Sequence, residues 1–330
     1  MDVEGLGSGI GQPILPLGGE SVLVIGGGFL GRRIAAVALA RGLATTVLTR
    51  GRRAPLGLMT TGARLVIGDA ADADLVARQL RRRTHVIHCA GGRYPAEAMA
   101  DPLADATETL APVLAVLDAL ARRPGSRLTF LSSGGTVYGR AAGTVGEDHP
   151  CRPVSAYGVS RLAAEQYVAT LAGTIGLPAR ILRLGNVYGP DQDTGRGQGL
   201  VAALLDSAAT GAQLTLFGRG DTVRDWVHVD DVADVVHRLP APPTGASSVL
   251  NVGTGQGVAV NALVTLVEEC TGAPLGVRWA PAREWDIPRS VLGVHRLQAT
   301  VSWSPRSVCD GVPQTWAAIS AAPWERALAR

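Results

Sequence analysis

The feature that most constrains this chain is a repeated alternation of short apolar runs with amphipathic helical stretches. It opens at residues 21–26 (SVLVIG), too short for a buried helix, then passes through glycines to residues 29–41, where Ile34, Val37 and Ala38 recur at helical spacing. Further apolar runs stand at 45–48, 64–67, 85–88, 128–131 and 179–184, separated by helical stretches such as 73–80 and 110–121. Alternation at this pitch predicts a parallel sheet covered by helices on both faces. The expected fold is therefore α/β, a Rossmann-type doubly wound parallel sheet.

After Leu184 the pattern loosens. Residues 185–199 are rich in Gly, Asp and Asn, as a ligand-facing loop would be, and shorter elements follow. We expect a helix at 200–209, a strand at 213–217, a helix at 232–239, a surface connection at 240–248, and helices at 260–270 and 307–319. The reading is of a flexible extension over 1–20, a dinucleotide-binding domain over 21–184, and a smaller mixed α/β lobe over 185–330 that binds substrate. Some elements of that lobe are expected to return to the sheet. In open parallel sheets, ligands bind at the carboxyl edge of the strands.

Composition narrows the function classes. The formal charge of +3 and the scattered arginines, without aromatic interleaving, argue against a nucleic-acid surface. Arg81, Arg82 and Arg83 read as a solvated helix end. The chain contains no lysine, a bias that tempers any reading of a single arginine. Cys89, Cys151, Cys270 and Cys309 lie far apart and form no C-x-x-C pair, so neither a metal site nor a disulfide framework is expected. No run of about 18 apolar residues appears, nor does a secretory signal pattern. A cytoplasmic protein with no membrane contact is the expectation.

Gly26, Gly28 and Gly31, with Phe29 and Leu30 between the last two, fit G-x-G-x-x-G after a strand and before a helix. Glycines there permit a tight turn and let a pyrophosphate approach backbone N–H groups at the helix start. At the end of the second strand the chain has Arg50, where an acid would bind the ribose hydroxyls of NAD. An arginine suits the 2′-phosphate of NADP, so NADP(H) is favoured and NAD is the alternative. Asp69 closes the third strand, and Ala90 and Gly91 follow the fourth; by position all three line the cofactor cleft. His88, at the end of an apolar run, reads as a packing residue.

Tyr157 and Arg161 stand four residues apart at the head of a helix and share one face. A fixed cation beside a phenol favours its deprotonated form, which makes Tyr157 a candidate general acid/base.

Four motifs, LSSGGTVYG (131–139), SAYGVSR (155–161), LRLGNVYGP (182–190) and VRDWVHVDD (223–231), resemble in order and spacing those of the extended short-chain dehydrogenase/reductases. The likeness is to the nucleotide-sugar epimerase/dehydratase group, including 4-epimerases, and runs from about Ser21 to Trp316. It implies that Tyr157 is the catalytic acid/base and that Arg161 stands where the family has a lysine gripping the nicotinamide ribose. It also implies that Ser132 and Val187 lie by the cofactor and that Asn186 touches the sugar or its diphosphate. Arg224 and Arg283 would clamp the diphosphate, as guanidinium forks do. Gln198, Leu200, Val201, Leu216 and Phe217 would surround the nucleotide base.

Three departures from the family pattern stand out. The glycine loop is one residue shorter than G-x-x-G-x-x-G. The family's catalytic Ser or Thr falls at Gly134, which leaves Ser133 or Thr136 to hold the reacting oxygen. Arg161 replaces the lysine. The implied chemistry is hydride exchange at C4 of a dTDP- or UDP-linked hexose, by an enzyme expected to be a homodimer. A 4,6-dehydratase is disfavoured, because those enzymes carry an Asp-Glu pair where this chain has Gly135 and Thr136. The missing ribose acid favours a 4-ketoreductase. A 4-epimerase holding NAD tightly is the alternative, and a cofactor-binding regulator that has lost turnover is a further one.

Overall fold

A computed structural model describes residues 19–51, 62–91, 93–193, 199–245 and 247–321. In chain order its strands are β1 (Ser21–Ile25), β2 (Ala44–Thr49), β3 (Arg64–Ile67), β4 (Thr84–His88), β5 (Arg127–Ser133), β6 (Thr144–Val145), β7 (Ala179–Leu184), β8 (Asn186–Tyr188), β9 (Leu214–Phe217), β10 (Val223–His228), β11 (Ser247–Val252), β12 (Gly257–Ala259), β13 (Val277–Ala280) and β14 (Arg289–Leu292).

All five residues of β1 are buried, because a strand covered on both faces has no polar side to show. Val22 and Val24 enter one core with Ile34 and Ala38 of the helix Phe29–Ala40 and Val232 and Val236 of the helix Val229–Arg238. Leu23 and Ile25 point the other way, into a core with Val113 and Leu117 of the helix Pro102–Ala121 and Ala164 and Val168 of the helix Ala156–Thr174. The two cores sandwich a seven-stranded parallel sheet of order β11-β7-β5-β4-β1-β2-β3. The order reverses at β1, which pairs with β2 on one side and β4 on the other. A crevice therefore opens at the carboxyl ends of β1 and β4, where ligands bind in doubly wound sheets.

β8, β10, β12, β14 and β6 form a second, smaller sheet, while β9 and β13 pair separately. A third core, with Tyr188, Val201, Leu204, Trp226, Leu263 and Val312, supports these strands. Asp225 on β10 fastens the two sheets together. Its buried carboxylate accepts hydrogen bonds from Thr254 N and Oγ1, both at 2.7 Å, from Gly255 N at 3.1 Å and from Leu292 N at 3.2 Å. Burial pushes its pKa up, against the pull of these donors.

The structure redraws several boundaries. Residues Ser247 and Ser248 belong to β11 and not to a surface connection, so the segment after Leu184 supplies the seventh strand of the main sheet. The long helix starts at Pro102 and not near 110. Asp101 caps it by accepting from Ala104 N at 3.1 Å, and Pro102 suits its first turn. The helix expected from 232 starts at Val229, capped by the imidazole of His228. No helix among the described residues is long and apolar enough to cross a membrane.

Candidate active site

The glycine turn forms the floor of the crevice. Gly26 has φ +100°, which L side chains rarely adopt, and a Cβ there would lie 2.8 Å from Ala90 N. A Cβ at Gly31 would lie 1.8 Å from the carbonyl oxygen of Gly26, so only glycine lets the helix pack onto β1. Gly28, by contrast, faces open space, with nothing within 4 Å of a Cβ. It caps the helix Phe29–Ala40 without a side-chain hydrogen bond, and the first turn carries no acid. The N–H groups at that end are left without a competing acid in the turn, as a pyrophosphate site requires. The turn is one residue shorter than the family pattern and still builds this cradle.

Arg50 extends from the end of β2 and is mostly exposed. Its Nη2 lies 3.7 Å from a carboxylate oxygen of Glu108, which also pairs with Arg93 at 3.3 Å. The cation expected to meet a 2′-phosphate is thus already shared with a carboxylate. Asp69 is exposed beyond β3, and its carboxylate accepts from Ala71 N at 2.9 Å.

Tyr157 lies half-buried in the first turn of the helix Ala156–Thr174, which Ser155 caps by accepting from Gly158 N at 3.2 Å. One turn on, the Arg161 guanidinium carbon stands 5.0 Å from the centre of the Tyr157 ring. Arg161 is only 5% exposed, and no carboxylate pairs with it among the described residues. Its Nε is buried without a hydrogen-bond partner. His88, at the end of β4, packs against Phe130 with ring centres 5.6 Å apart. Burial first, and the charge of Arg161 second, lower its pKa to about 3, against a smaller opposing pull from backbone groups of His88 and Ala90. It is a neutral packing group beside the cation.

The crevice wall beside Tyr157 comes from β5 and the single turn Gly134–Val137. A Cβ on Gly134 would lie 2.8 Å from Leu292 Cδ1 and 3.3 Å from the Arg183 carbonyl oxygen, so Leu292 fills the space a side chain there would need. Gly135 opens onto the site instead. The point where its Cβ would stand is 3.4 Å from Asn186 Oδ1 and 3.9 Å from both Ser133 Oγ and Ser290 Oγ. Three polar side chains from β5, β8 and β14 thus converge over one glycine. Thr136 is held nearby, its carbonyl oxygen 3.0 Å from a Cβ built on Gly158. Ser132 differs from Ser133: its hydroxyl donates to buried Glu165.

At the far end, Arg283 lies 4.5 Å above the exposed ring of Phe217 and forms a fork with Asp286, its own partner three residues on, at 2.8 Å. Arg224 lies close enough to both to feel their charges. Burial lowers its pKa, Asp286 opposes that, and Arg283 adds to it. The two arginines and Phe217 share one end of the cleft. Val201 does not join them, because it is fully buried in the third core, where Leu200 and Leu216 also pack. Gln198 lies outside the described residues.

Glu165, Arg183 and Ser290 were not among the residues expected here. Glu165 was legible as the residue four after Arg161 on one helix face; Ser290 carries no local signal and reaches the site only through the pairing of β14 with β10.

The parallel seven-stranded sheet with its order reversed at β1 agrees with the fold that comparison with known proteins shows. Residues 22–253 match the NAD dependent epimerase/dehydratase family. The chain belongs to that family. It is an enzyme of the extended short-chain dehydrogenase/reductase type, as the four motifs imply. It is 33% identical to a UDP-glucose 4-epimerase of Azospirillum brasilense, over 93% of this chain and 92% of that protein. It is 34% identical to a dTDP-6-deoxy-L-talose 4-dehydrogenase (NAD(P)(+)) of Kitasatospora kifunensis, over 92% and 96%. The crystal structure of a Thermus thermophilus UDP-glucose 4-epimerase in complex with NAD superimposes with a TM-score of 0.84 at 34% identity, covering 92% of this chain and 99% of that one.

Proposed function

We propose that this enzyme is a 4-epimerase of a nucleoside-diphosphate-linked hexose and keeps its dinucleotide bound. The observation that carries the reading is the pairing of half-buried Tyr157 with buried Arg161 beside an open glycine cradle, in a chain whose likeness to 4-epimerases extends over nine-tenths of its length. A bound dinucleotide would supply the acceptor and donor of hydride. Gly26, Gly28 and Gly31 would hold its pyrophosphate, and Arg161 its nicotinamide ribose.

Tyr157, as phenolate, takes the proton of the C4 hydroxyl and, as phenol, returns it, and Arg161 offsets the phenolate charge before the transfer and after the return. Ser133, Asn186 and Ser290 orient the reacting oxygen over Gly135; Thr136 shapes the same wall. Arg224 and Arg283 anchor the diphosphate, and Phe217 offers its exposed face to the base.

A second reading, a 4-ketoreductase using NADPH, keeps one specific observation in its favour: the ribose acid is absent and Arg50 stands at the end of β2. The pairing of Arg50 with Glu108 weakens it.

The homodimer is a further part of this proposal. Leu103, which is 78% exposed, and Leu114 on one helix, and Val159 and Tyr167 on the helix it packs against, are exposed apolar side chains that a second copy would cover.

The test is to purify the enzyme, release and identify any bound dinucleotide, and offer UDP-glucose. Bound NAD with conversion to the C4 epimer, lost in Tyr157→Phe by a factor of about 10²–10⁴, supports the epimerase. Stoichiometric consumption of added NADPH by a 4-keto sugar nucleotide, with no bound NAD, supports the reductase.

A further inference from the structure

The Arg161 guanidinium occupies the space that a side chain on residue 91 would need. A Cβ built on Gly91 would stand 1.8 Å from Arg161 Nη2 and 2.9 Å from its Cζ, closer than real Cβ contacts come. The guanidinium carbon also stands 5.0 Å from the centre of the Tyr157 ring, and its charge acts on His88, held neutral. Glu165 is the carboxylate one turn further along the helix, but its oxygens are taken by Arg183 and Ser132. Among the described residues, nothing of opposite charge therefore draws Arg161 to where it sits. Its position is set by shape, between a ring and a backbone that carries no side chain.

We propose that Gly91 and Arg161 act as one unit, in which the bare backbone at 91 is what lets an arginine stand one turn beyond Tyr157. An arginine is longer than a lysine and ends in a rigid planar fork, so it needs room that an ammonium on a flexible stem does not. Gly91 is a positioning residue: it sets where the cation lies relative to the phenol and the cleft. This rests on the reading of Arg161 as the residue that holds the nicotinamide ribose. A rival role for Gly91, making room for the cofactor itself, leads to a different outcome in the experiment below.

The experiment is a double-mutant cycle on the full chain, with Gly91→Ala, Arg161→Lys and both together. It reads the dissociation constants of NAD and NADP by calorimetry and the thermal midpoint of the free protein. Gly91→Ala should displace the guanidinium, lower the midpoint and weaken dinucleotide binding about tenfold, equivalent to about 1.4 kcal/mol. Arg161→Lys alone should be the milder change. Adding Arg161→Lys to Gly91→Ala should restore binding to within about twofold of Arg161→Lys alone, the scatter expected when the second change has no further effect. A Gly91→Ala protein that behaves as wild type overturns the proposal. So does a double variant as impaired as Gly91→Ala, the result expected if Gly91 made room for the cofactor. If the wild type bound neither dinucleotide, the functional reading would fall, and the thermal cycle would still decide the packing claim, with additive shifts counting against it.

Discussion

Arg161, on the helix that carries Tyr157, and Arg183, on a strand and paired with a carboxylate of that helix, are both buried, and their surroundings are opposite. Arg183 on β7 forks onto Glu165 through Nη2 at 2.6 Å and Nε at 3.0 Å, with the two side chains 6% and 2% exposed. Burial alone would lower its pKa, but the hydrogen bonds and charge of Glu165 outweigh that and raise it. Its guanidinium also covers the ring of Tyr138, whose hydroxyl donates to Asn251 Oδ1 at 2.7 Å. Glu165 stands four residues beyond Arg161 on the same helix, yet Arg161 has no such partner among the described residues. A buried cation whose donors are matched belongs to the scaffold. One with no ion pair whose Nε is also left orphaned carries a cost that a bound partner would relieve, since an unmet buried donor is costly.

The largest effect should come from breaking the matched pair. Glu165→Ala leaves the Arg183 charge uncompensated and should cost about 3–5 kcal/mol in denaturant unfolding. Replacing both residues by methionine should recover most of that loss, because the cost lies in the unpaired charge. A small effect of Glu165→Ala would erase the distinction between the two arginines.

The neutral, buried imidazoles give the next effect. Burial and the charge of Arg161 push the His88 pKa down to about 3, and burial also holds His85 well below its ordinary value of 6.5. The unfolded chain therefore binds protons that the folded one refuses. Stability is full above pH of about 6.5 and falls as the pH drops toward 3, each buried imidazole steepening the slope by up to about 1.4 kcal/mol per pH unit. His88→Leu should flatten the acid limb of a plot of unfolding free energy against pH; an unchanged limb would mean that His88 is not buried neutral.

Arg50 gives the smallest effect, being mostly exposed. Arg50→Asp should lose an ion pair worth about 0–1 kcal/mol and shift any preference for NADPH over NADH by about tenfold if a 2′-phosphate sits there. Equal binding of the two cofactors by the wild type would remove the argument for NADP.

The sheet and the glycine cradle were legible because their signals are local: an apolar run, a glycine where no Cβ fits, a helical stripe. The positions of Tyr157 and Arg161 were legible for the same reason, four residues on one helix face. What was hidden depends on contacts between distant segments. Leu292 filling the place beside Gly134 and Arg50 reaching Glu108 leave no mark on neighbouring residues. The family resemblance placed Val201 by the nucleotide base, and the sequence could not correct it, because an apolar residue at a helix start reads the same whether it faces a cleft or a core. Short strands such as β8 and β14 escaped because three or four residues carry too little periodicity.

The most direct test of the contrast is Arg161→Met, measured in parallel for denaturant unfolding of the free protein and for dinucleotide affinity. The predicted result is a protein no less stable than the wild type, since an unpaired buried charge has been replaced by an apolar chain, with cofactor binding weakened by at least about tenfold. A loss of stability comparable to that of Glu165→Ala, with cofactor affinity unchanged, would place Arg161 in the scaffold and contradict the account.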